Sequence, residues 1–330
     1  MNEKTPKVSV LMPCLNEEKN IGAAITSLID DYVLQSAEIL VLDGGSTDHT
    51  RQIVESVVGD KIGMIRIIEN PNRHQASGLN IGLKEARGEF IVRTDAHSVY
   101  PPGYVRKCVE LLEGFADEVA NVGGYMKPEG ETIVQKAIAF ALQHPVGVGD
   151  ANWRRGTSSG FVDTVYLGTF RKSLFKEIGD YDERATPNED AELNIRILKA
   201  GRKIYLDNSI KTIYFPRKTL QALGRQYFHY GRGRAHTIFK HKTITSWRQV
   251  APLLLVSGLA ASMVLGICRP LFFLFPVIYL LALIAVAMTS FREKKAGCII
   301  PIRIRMLTAI AWAIMQIAWG IGFISRIIKS

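Results

Sequence analysis

The chain has little cysteine, little proline and, past residue 210, almost no acid. Its four cysteines (Cys14, Cys108, Cys268, Cys298) are widely spaced over 330 residues and form no C-x-x-C pair. That excludes a disulfide scaffold and suits a reducing compartment. With 13 Pro and 28 Gly it is neither collagen-like nor low-complexity, and 47 % apolar residues exclude a disordered chain. Several motifs are missing as well. No G-x-G-x-x-G follows the first strand-like run, and there is no G-x-x-x-x-G-K-[ST] loop, H-E-x-x-H helix or G-x-S-x-G elbow. A Rossmann dinucleotide site, a P-loop, a zinc helix of that type and a serine-hydrolase elbow are thereby set aside.

The scarcity of acid is confined to one end. Residues 1–210 carry 24 Lys and Arg against 30 Asp and Glu, whereas residues 211–330 carry 17 against a single acid, Glu293. A nucleic-acid binder would spread its basic charge over the folded domain that docks on phosphate. Here the basic part also holds the long apolar runs, which points to a membrane partner and no nucleic acid. Three stretches, 249–268, 270–291 and 306–325, stay free of charge for about the 20 residues that a bilayer requires. Only Cys268, Arg269 and Pro270 separate the first two, so a tight hairpin is expected.

The loop from Arg292 to Arg305 carries Arg292, Lys294, Lys295, Arg303 and Arg305 against one Glu, and basic short loops stay in the cytoplasm. MNEKTPK leads directly into a strand-like run at Val8, with no signal peptide, so the N-terminal part is expected on the cytoplasmic face. A spanning third stretch places Arg326 and Lys329 outside; an interfacial or re-entrant course is the alternative.

Upstream, β-rich runs alternate with helical periodicity. Strands are predicted at Val8–Met12, Glu38–Leu42, Met64–Glu69 and Phe90–Arg93, with weaker ones at Val119–Gly123 and Ile204–Leu206. Helices are predicted at Asn20–Ile29, Thr47–Val58, Ala76–Ala86, Tyr104–Glu113 and Asp190–Ala200. This is an α/β pattern with a mostly parallel sheet covered on both faces, whose ligands bind beyond the carboxyl ends of the strands. Three of those ends lead into P-C-L-N-E-E, D-G-G-S-T-D and T-D-A-H. Each alone reads as a turn, with Ser46 or Thr47 capping the next helix. Together they set isolated carboxylates along one edge, a pattern that suits hydroxyl recognition and a hard divalent cation.

The ordered motifs VSVLMPCLNEEKNI, EILVLDGGSTDHT, GLNIGLKEARGEFIVRTDAH and NEDAELNIRILKAG resemble a family 2 glycosyltransferase of the GT-A fold, over about Val8 to Phe215. With the apolar tail and QYFHYGRGR, the likeness is to membrane-bound exopolysaccharide glycosyltransferases of the succinoglycan type. The resemblance implies a GT-A catalytic domain at 1–215, a basic amphipathic juxtamembrane segment at 216–250 and a transmembrane region at 251–330. It also implies inverting transfer of a sugar from a nucleotide-diphosphate sugar, UDP-linked, to a lipid-linked saccharide. The setting is the cytoplasmic face of a bacterial inner membrane, with other polysaccharide-assembly enzymes as further partners. Transfer to polyprenyl phosphate itself, as in the dolichol-phosphate-mannose type, and an inactive membrane-anchored binding protein are the alternatives.

By the same resemblance Asp43 reads the nucleobase, Pro13 and Glu17 lie against the nucleotide, and Arg73–Gly82 (RHQASGLNIG), with Asn80 its best-matched residue, lines the pocket; a helix entry with Gly for close packing is the alternative for that stretch. Asp95 opens the D-x-D signature that meets ribose and metal, and His97 stands where the family carries Asp. An imidazole still ligates Mn²⁺, more readily than Mg²⁺, so the implied cofactor is a divalent cation with a bias to manganese. A helix-cap or core histidine is the plainer reading of His97. Asp190 is the implied catalytic base; Glu189 and Asp190 also favour a helix N-terminus through its dipole. Glu189, Arg232 and Arg234 are candidates for the diphosphate or the acceptor, the two arginines alternatively resting on anionic lipid headgroups. Val162–Arg171 resembles the segment under the acceptor, and Thr157–Gly160 reads as a mobile loop. Gln226–Tyr230 retains only the Gln of the Q-x-x-R-W motif of processive synthases, which favours one sugar per encounter.

Overall fold

The computed structural model describes residues 5–59, 64–244, 246–290 and 300–328. Glu293, Cys298, Lys329 and most of the expected basic loop (Arg292, Lys294, Lys295) lie outside them. The chain forms two compact units, one of residues 1–127 and 152–214 and one of 128–151 and 215–330. The boundary expected near 215 is therefore joined by an excursion, residues 128–151, that belongs to the second unit.

The first unit opens with β1 (Val8–Cys14), α1 (Ile21–Leu28), α2 (Asp31–Ser36), β2 (Ala37–Asp43), α3 (Thr50–Val58), β3 (Ile65–Glu69), α4 (Gln75–Glu85) and β4 (Phe90–Arg93). It continues with β5 (Ser98–Val99), α5 (Tyr104–Glu113) and β6 (Val119–Pro128), and after the excursion (α6, Ile133–Gln143; α7, Pro145–Val148) with α8 (Asn152–Arg155). It closes with β7 (Gly160–Phe161), β8 (Tyr166–Arg171), α9 (Leu174–Ile178), α10 (Glu189–Lys199) and β9 (Lys203–Tyr214). The nine strands form one sheet in the order β3-β2-β1-β4-β8-β6-β9-β5, with β7 on β9.

The sheet is mixed. Strands β3, β2, β1 and β4 pair in parallel, as the alternating pattern predicts. Beyond β4 the pairing turns antiparallel, at β4–β8, β6–β8, β5–β9 and β7–β9. The expectation of a mostly parallel sheet thus holds for the first half and is corrected for the second. The strands missed there are short (β5, β7) or rich in polar and small residues (β8, YLGTFR), so no apolar run announces them.

Successive residues of the central strands feed two separate cores, as the two-residue period requires. Val8, Val10 and Met12 of β1, Ile39 and Val41 of β2, and Val92 of β4 join α1, α3 and α5 on one face. Leu11, Leu40, Leu42 and Ile91 join Leu79 and Leu83 of α4, Phe175 of α9, and Leu193 and Ile197 of α10 on the other. At the amino ends of the strands the buried Glu38 accepts from Ser9 Oγ (2.7 Å), the Arg87 backbone N–H (2.7 Å) and the Arg66 guanidinium (3.3 Å). Polar chemistry at that end is consumed internally, which leaves the carboxyl ends for ligands.

The second unit is helical. Besides α6 and α7 it has α11 (Leu220–His241), α12 (Ala251–Cys268), α13 (Leu274–Thr289) and α14 (Ile302–Ile328). The segments Ala251–Cys268, Pro270–Thr289 and Ile302–Ile328 are each long and apolar enough to cross a membrane. The expected hairpin turns through a short 3₁₀ segment, Pro270–Phe273. The third stretch lies inside a 27-residue helix that also carries Arg303, Arg305 and Arg326. That helix is the packing centre of its unit. Thr308 Oγ1 donates to the Ala137 carbonyl (3.2 Å), Trp312 Nε1 to that of Ala141 (3.3 Å) and Gln316 Nε2 to that of Val146 (2.7 Å), which draws α6 and α7 onto it. Helix α11 crosses α14 where Gly231 faces the Trp319 carbonyl and Gly322 faces that of Phe228, so close that a Cβ on either glycine would overlap a backbone oxygen.

Backbone against backbone leaves no slack. Gly231→Val should force α11 off α14 and cost about 3 kcal/mol, the upper range for overpacking. Gly224→Ala, whose new methyl would meet only the end of the Ile314 side chain at 3.3 Å, should cost much less. Thermal unfolding of the two variants in detergent checks the contrast.

Candidate active site

The loops after β1 and β2 are strapped together. Asn16, in the left-handed region (φ 56°) that Asn tolerates, accepts the Thr47 N–H on its Oδ1 (2.8 Å), and its own N–H donates to Ser46 Oγ (2.9 Å). The Glu17 N–H donates to Thr50 Oγ1 (2.8 Å) and the Glu18 N–H to Asp48 Oδ2 (3.2 Å). The cap expected from Ser46 or Thr47 is not formed: α3 starts at Thr50, with no side-chain cap. Ser46 is taken instead by the nearer anion, its Oγ donating to Asp43 Oδ1 at 2.6 Å. Gly45 completes this turn at φ 77°, where a side chain would be strained.

Asp43, at the end of β2, is 1 % exposed. Burial works to raise its pKa, but hydrogen bonds from Ser46 Oγ and N–H and from Arg51 Nε (2.5 Å) outweigh it and hold the carboxyl below the usual range. Beside it a hollow of about 180 Å³ is lined by Asp43, Gly44, Arg51, Asn70 and Arg73, among others. Pro13 is half-buried at the end of β1.

The stretch predicted to line a nucleotide pocket reaches this hollow through Arg73. It holds a left-handed backbone (φ 62°) and donates from Nε to the Gly44 carbonyl (3.1 Å) and from Nη2 to that of Gly45 (3.2 Å). Asn80, the residue expected there, is 9 % exposed on α4. Its amide accepts the Tyr181 N–H (2.9 Å) and donates to the Tyr181 carbonyl (2.9 Å) and to Glu183 (3.2 Å). The N–H and carbonyl of Tyr181 thus engage both ends of the Asn80 amide.

Beyond β4, Asp95 is held on both oxygens: Gln75 Nε2 donates to Oδ1 (3.2 Å) and Tyr166 Oη to Oδ2 (3.3 Å). Tyr100 Oη, accepting the Asp95 N–H and donating to its carbonyl, fixes the backbone there. His97 is neither a cap nor a core residue. Its ring is partly exposed and Nδ1 lies 3.2 Å from Glu17 Oε1. That bond ties the first loop to the third and selects the tautomer whose lone pair is on Nε2.

The donor set fits a divalent cation that is shared with a ligand. Among the described residues no three His, Cys, Asp or Glu side chains gather to hold a metal by themselves. Of the expected ligands Asp95 would supply one carboxylate and His97 one imidazole, the latter backed by the Glu17 carboxylate as metal-binding histidines are.

Asp190 is half-buried in the first turn of α10 beside Glu189 and Glu192, where the helix dipole favours negative charge. The helix start is braced by Arg196, which pairs with the buried Glu192 (2.9 Å) and donates to the carbonyls of Gly179 (2.9 Å) and Asp180 (2.7 Å). Glu189, expected at a diphosphate or acceptor, is 3 % exposed and turned inward onto Arg93 (3.1 Å), itself 6 % exposed. Burial pushes its carboxyl up and Arg93 pulls it back, with a net rise. Arg232 and Arg234 lie half-buried on α11 in the second unit. Gln226, on the same helix, donates to Tyr230 Oη one turn on (2.8 Å).

Arg51 and Arg93 are absent from the expected set, whereas Arg73 and Gln75 fall in the stretch expected to line the nucleotide pocket and Tyr166 in the segment expected under the acceptor, none of the three with an assigned role. A charge inside the apolar run FIVR was the available signal for Arg93; nothing in the chain order brings Tyr166 to Asp95, 71 positions away.

Residues 9–179 match the model of Glycosyl transferase family 2, and the chain belongs to that family. It is 32 % identical to the succinoglycan biosynthesis protein ExoA of Rhizobium meliloti (strain 1021), over 95 % of this chain and 93 % of that protein. It is 26 % identical to the dolichyl N-acetyl-alpha-D-glucosaminyl phosphate 3-beta-D-2,3-diacetamido-2,3-dideoxy-beta-D-glucuronosyltransferase of Methanococcus voltae, over 71 % and 74 % of the two chains. The fold is similar to that of a solved mannosyltransferase, PcManGT from Pyrobaculum calidifontis, in complex with GDP-Man and Mn²⁺ (TM-score 0.61, 18 % identity, 99 % and 89 % coverage). The protein is a membrane-associated glycosyltransferase with a GT-A-like fold.

Because Asp43 has a lower pKa folded than unfolded, it contributes stability that is fully present above about pH 4, the unfolded value, and is lost as the pH falls through the folded one. In Asp43→Asn that part of the acid loss should vanish. Urea unfolding of both proteins between pH 6 and pH 3 should therefore give curves that converge on acidification.

Proposed function

We propose that the protein transfers a sugar, with inversion, from a UDP-sugar to a hydroxyl of a lipid-linked saccharide at the cytoplasmic face of a bacterial inner membrane. The observation that carries the reading is the meeting of three separate loops at one sheet edge: Glu17 against His97, Gln75 against Asp95, and the hollow beside Asp43.

In this reading the Asp43 carboxylate, ionised at any neutral pH, accepts the imide N–H of the base in that hollow, with Glu17 and Pro13 along the nucleotide. Arg73 closes the opposite wall. Asp95 and His97 would hold a divalent cation, which supplies charge neutralisation for the departing diphosphate. Asp190 Oδ takes the proton of the acceptor hydroxyl. The hydroxyl oxygen forms its bond to the anomeric carbon as the bond to the diphosphate breaks, and the diphosphate leaves with the electron pair. A single base serves, with no covalent sugar intermediate. The apolar helices α12 and α13 support a membrane-held acceptor, and so does the M. voltae relative, whose name carries a dolichyl-linked saccharide. Arg232 and Arg234 are proposed for the diphosphate of that acceptor.

Asp190→Asn should leave UDP binding within about threefold and lower turnover by at least about 10³-fold, within the range for a lost general base. Near-wild-type turnover would refute the assignment. A panel of UDP-, dTDP- and GDP-sugars with Mn²⁺ should give its largest thermal stabilisation with a UDP-sugar. Transfer of that sugar to polyprenyl-diphosphate saccharide and not to bare polyprenyl phosphate is the expected acceptor result. With one carboxylate fewer than a D-x-D site, half-maximal activation should need less Mn²⁺ than Mg²⁺, and His97→Asp should narrow the gap. Equal activation by both metals in the wild type would remove the case for an imidazole ligand.

A further inference from the structure

Arg93 and Glu189 form the most deeply buried ion pair near the proposed base, and sugar transfer as outlined gives neither of them a task. Their places in the chain are informative. Arg93 is the last residue of β4, two before Asp95, and Glu189 is the first residue of α10, immediately before Asp190. Their contact joins a strand and a helix 96 positions apart. Arg93 is also under-used. Its Nη2 reaches Glu189 Oε1 at 3.1 Å, but its buried Nε–H has no acceptor among the described residues. Tyr181 Oη, near the same pair, is likewise buried and unmatched among the described residues. A guanidinium held so deep with donors to spare faces the charges of Asp95 and Asp190 as well as that of Glu189.

We propose that the Arg93–Glu189 pair is a positioning device: it fixes the start of α10 to the end of β4, and so sets the place of the Asp190 carboxylate relative to Asp95, two residues beyond Arg93. The inference rests on Asp190 being the base. A buried ion pair is a poor source of stability, since apolar residues of similar volume often serve as well or better. What an ion pair adds is a fixed direction: its hydrogen bond allows one register of helix against strand, where an apolar contact tolerates several. Base catalysis needs that register, because a displacement of 1 Å at the reacting atoms can cost about 100-fold. The cation also lets three carboxylates, Asp95, Glu189 and Asp190, stand close together before any substrate arrives.

The test separates packing from placement. In Glu189→Gln, which keeps the shape but weakens the bond to Arg93, kcat should fall about tenfold with KM for the donor and the Kd for UDP (calorimetry, Mn²⁺ present) within threefold. In the apolar pair Arg93→Met with Glu189→Leu, the thermal midpoint and the UDP Kd should stay near wild type while kcat falls about 100-fold. Arg93→Lys, a point cation without the planar fork, should fall between the two. Turnover is read as UDP release from the panel's best UDP-sugar with membrane lipids as acceptor. A kcat within threefold of wild type for Glu189→Gln or the apolar pair overturns the proposal, as does loss of UDP binding in step with kcat. If Asp190→Asn also turns over normally, the base assignment has failed first; if Asp190→Asn is inactive, only the positioning role has failed.

Discussion

Like charges do not gather in a cleft unaided. At 4 Å two unit charges repel by about 4 kcal/mol at an effective dielectric constant of 20. The carboxyl edge of this sheet nevertheless collects Glu17, Asp43, Asp95, Glu189 and Asp190, and the surrounding structure is largely the set of arrangements that allows it. Asp43 is held by Ser46 and Arg51, Glu17 by His97, and Asp95 by Gln75 and Tyr166. Asp190 has a helix N-terminus, and Glu189 has Arg93. Each acid at that edge thus has a partner or a helix terminus of its own.

The mixed sheet follows from the same demand. Parallel strands β3, β2, β1 and β4 bring their carboxyl ends to one edge, which is where loops rich in acid can face a nucleotide. A sheet continued in that manner would offer only more loop ends. The antiparallel turn at β8 delivers side chains from within a strand instead, among them Tyr166, whose hydroxyl reaches Asp95 and Ser98 (2.9 Å). The antiparallel half also brings Tyr214 of β9 to the edge of the His97 ring. Loops cross-linked by hydrogen bonds form one side of the site, and strand residues such as Tyr166 and Tyr214 stand on the other.

What could be read from the chain divides along that line. The first four strands, their helices and the acids after them were legible because apolar runs mark buried parallel strands and turn residues mark their ends. Strands β1 to β4 lie within two residues of the expected bounds at each end. Of the antiparallel half only β6 and β9 were legible, as weaker and shorter runs; β8 depends on partners on both sides and carries Gly168 where Phe170 and Asn121 crowd in, so its sequence answers to neighbours, not to its own periodicity. Among site residues, the family motifs carried Asp43, Asp95 and Asp190, but motif position says nothing of direction. Glu189 turns inward and Asp190 does not, one residue apart on a helix, a difference that only the helical rotation of about 100° and the position of Arg93 decide.

The second unit makes the same point for membranes. Composition singles out α12 and α13, which are apolar and largely exposed within the unit, and ranks α14 last because it carries Gln316, Trp312 and arginines. Between helices in lipid the hydrophobic effect gives little drive, so packing and hydrogen bonds must supply it. Helix α14 has both. Gly320 lets the Pro252 carbonyl of α12 approach, Gly322 admits α11, and Thr308, Trp312 and Gln316 bond to the carbonyls of α6 and α7. Tyr279 of α13 donates to the oxygen of the same Gln316 at 2.9 Å, so one amide bonds to two other segments of the unit. The residues that weaken α14 as a span by composition are therefore those that make it the helix on which the others assemble. The excursion of residues 128–151 belongs to the second unit for that reason: the carbonyls of Ala137, Ala141 and Val146 are the acceptors of those donors.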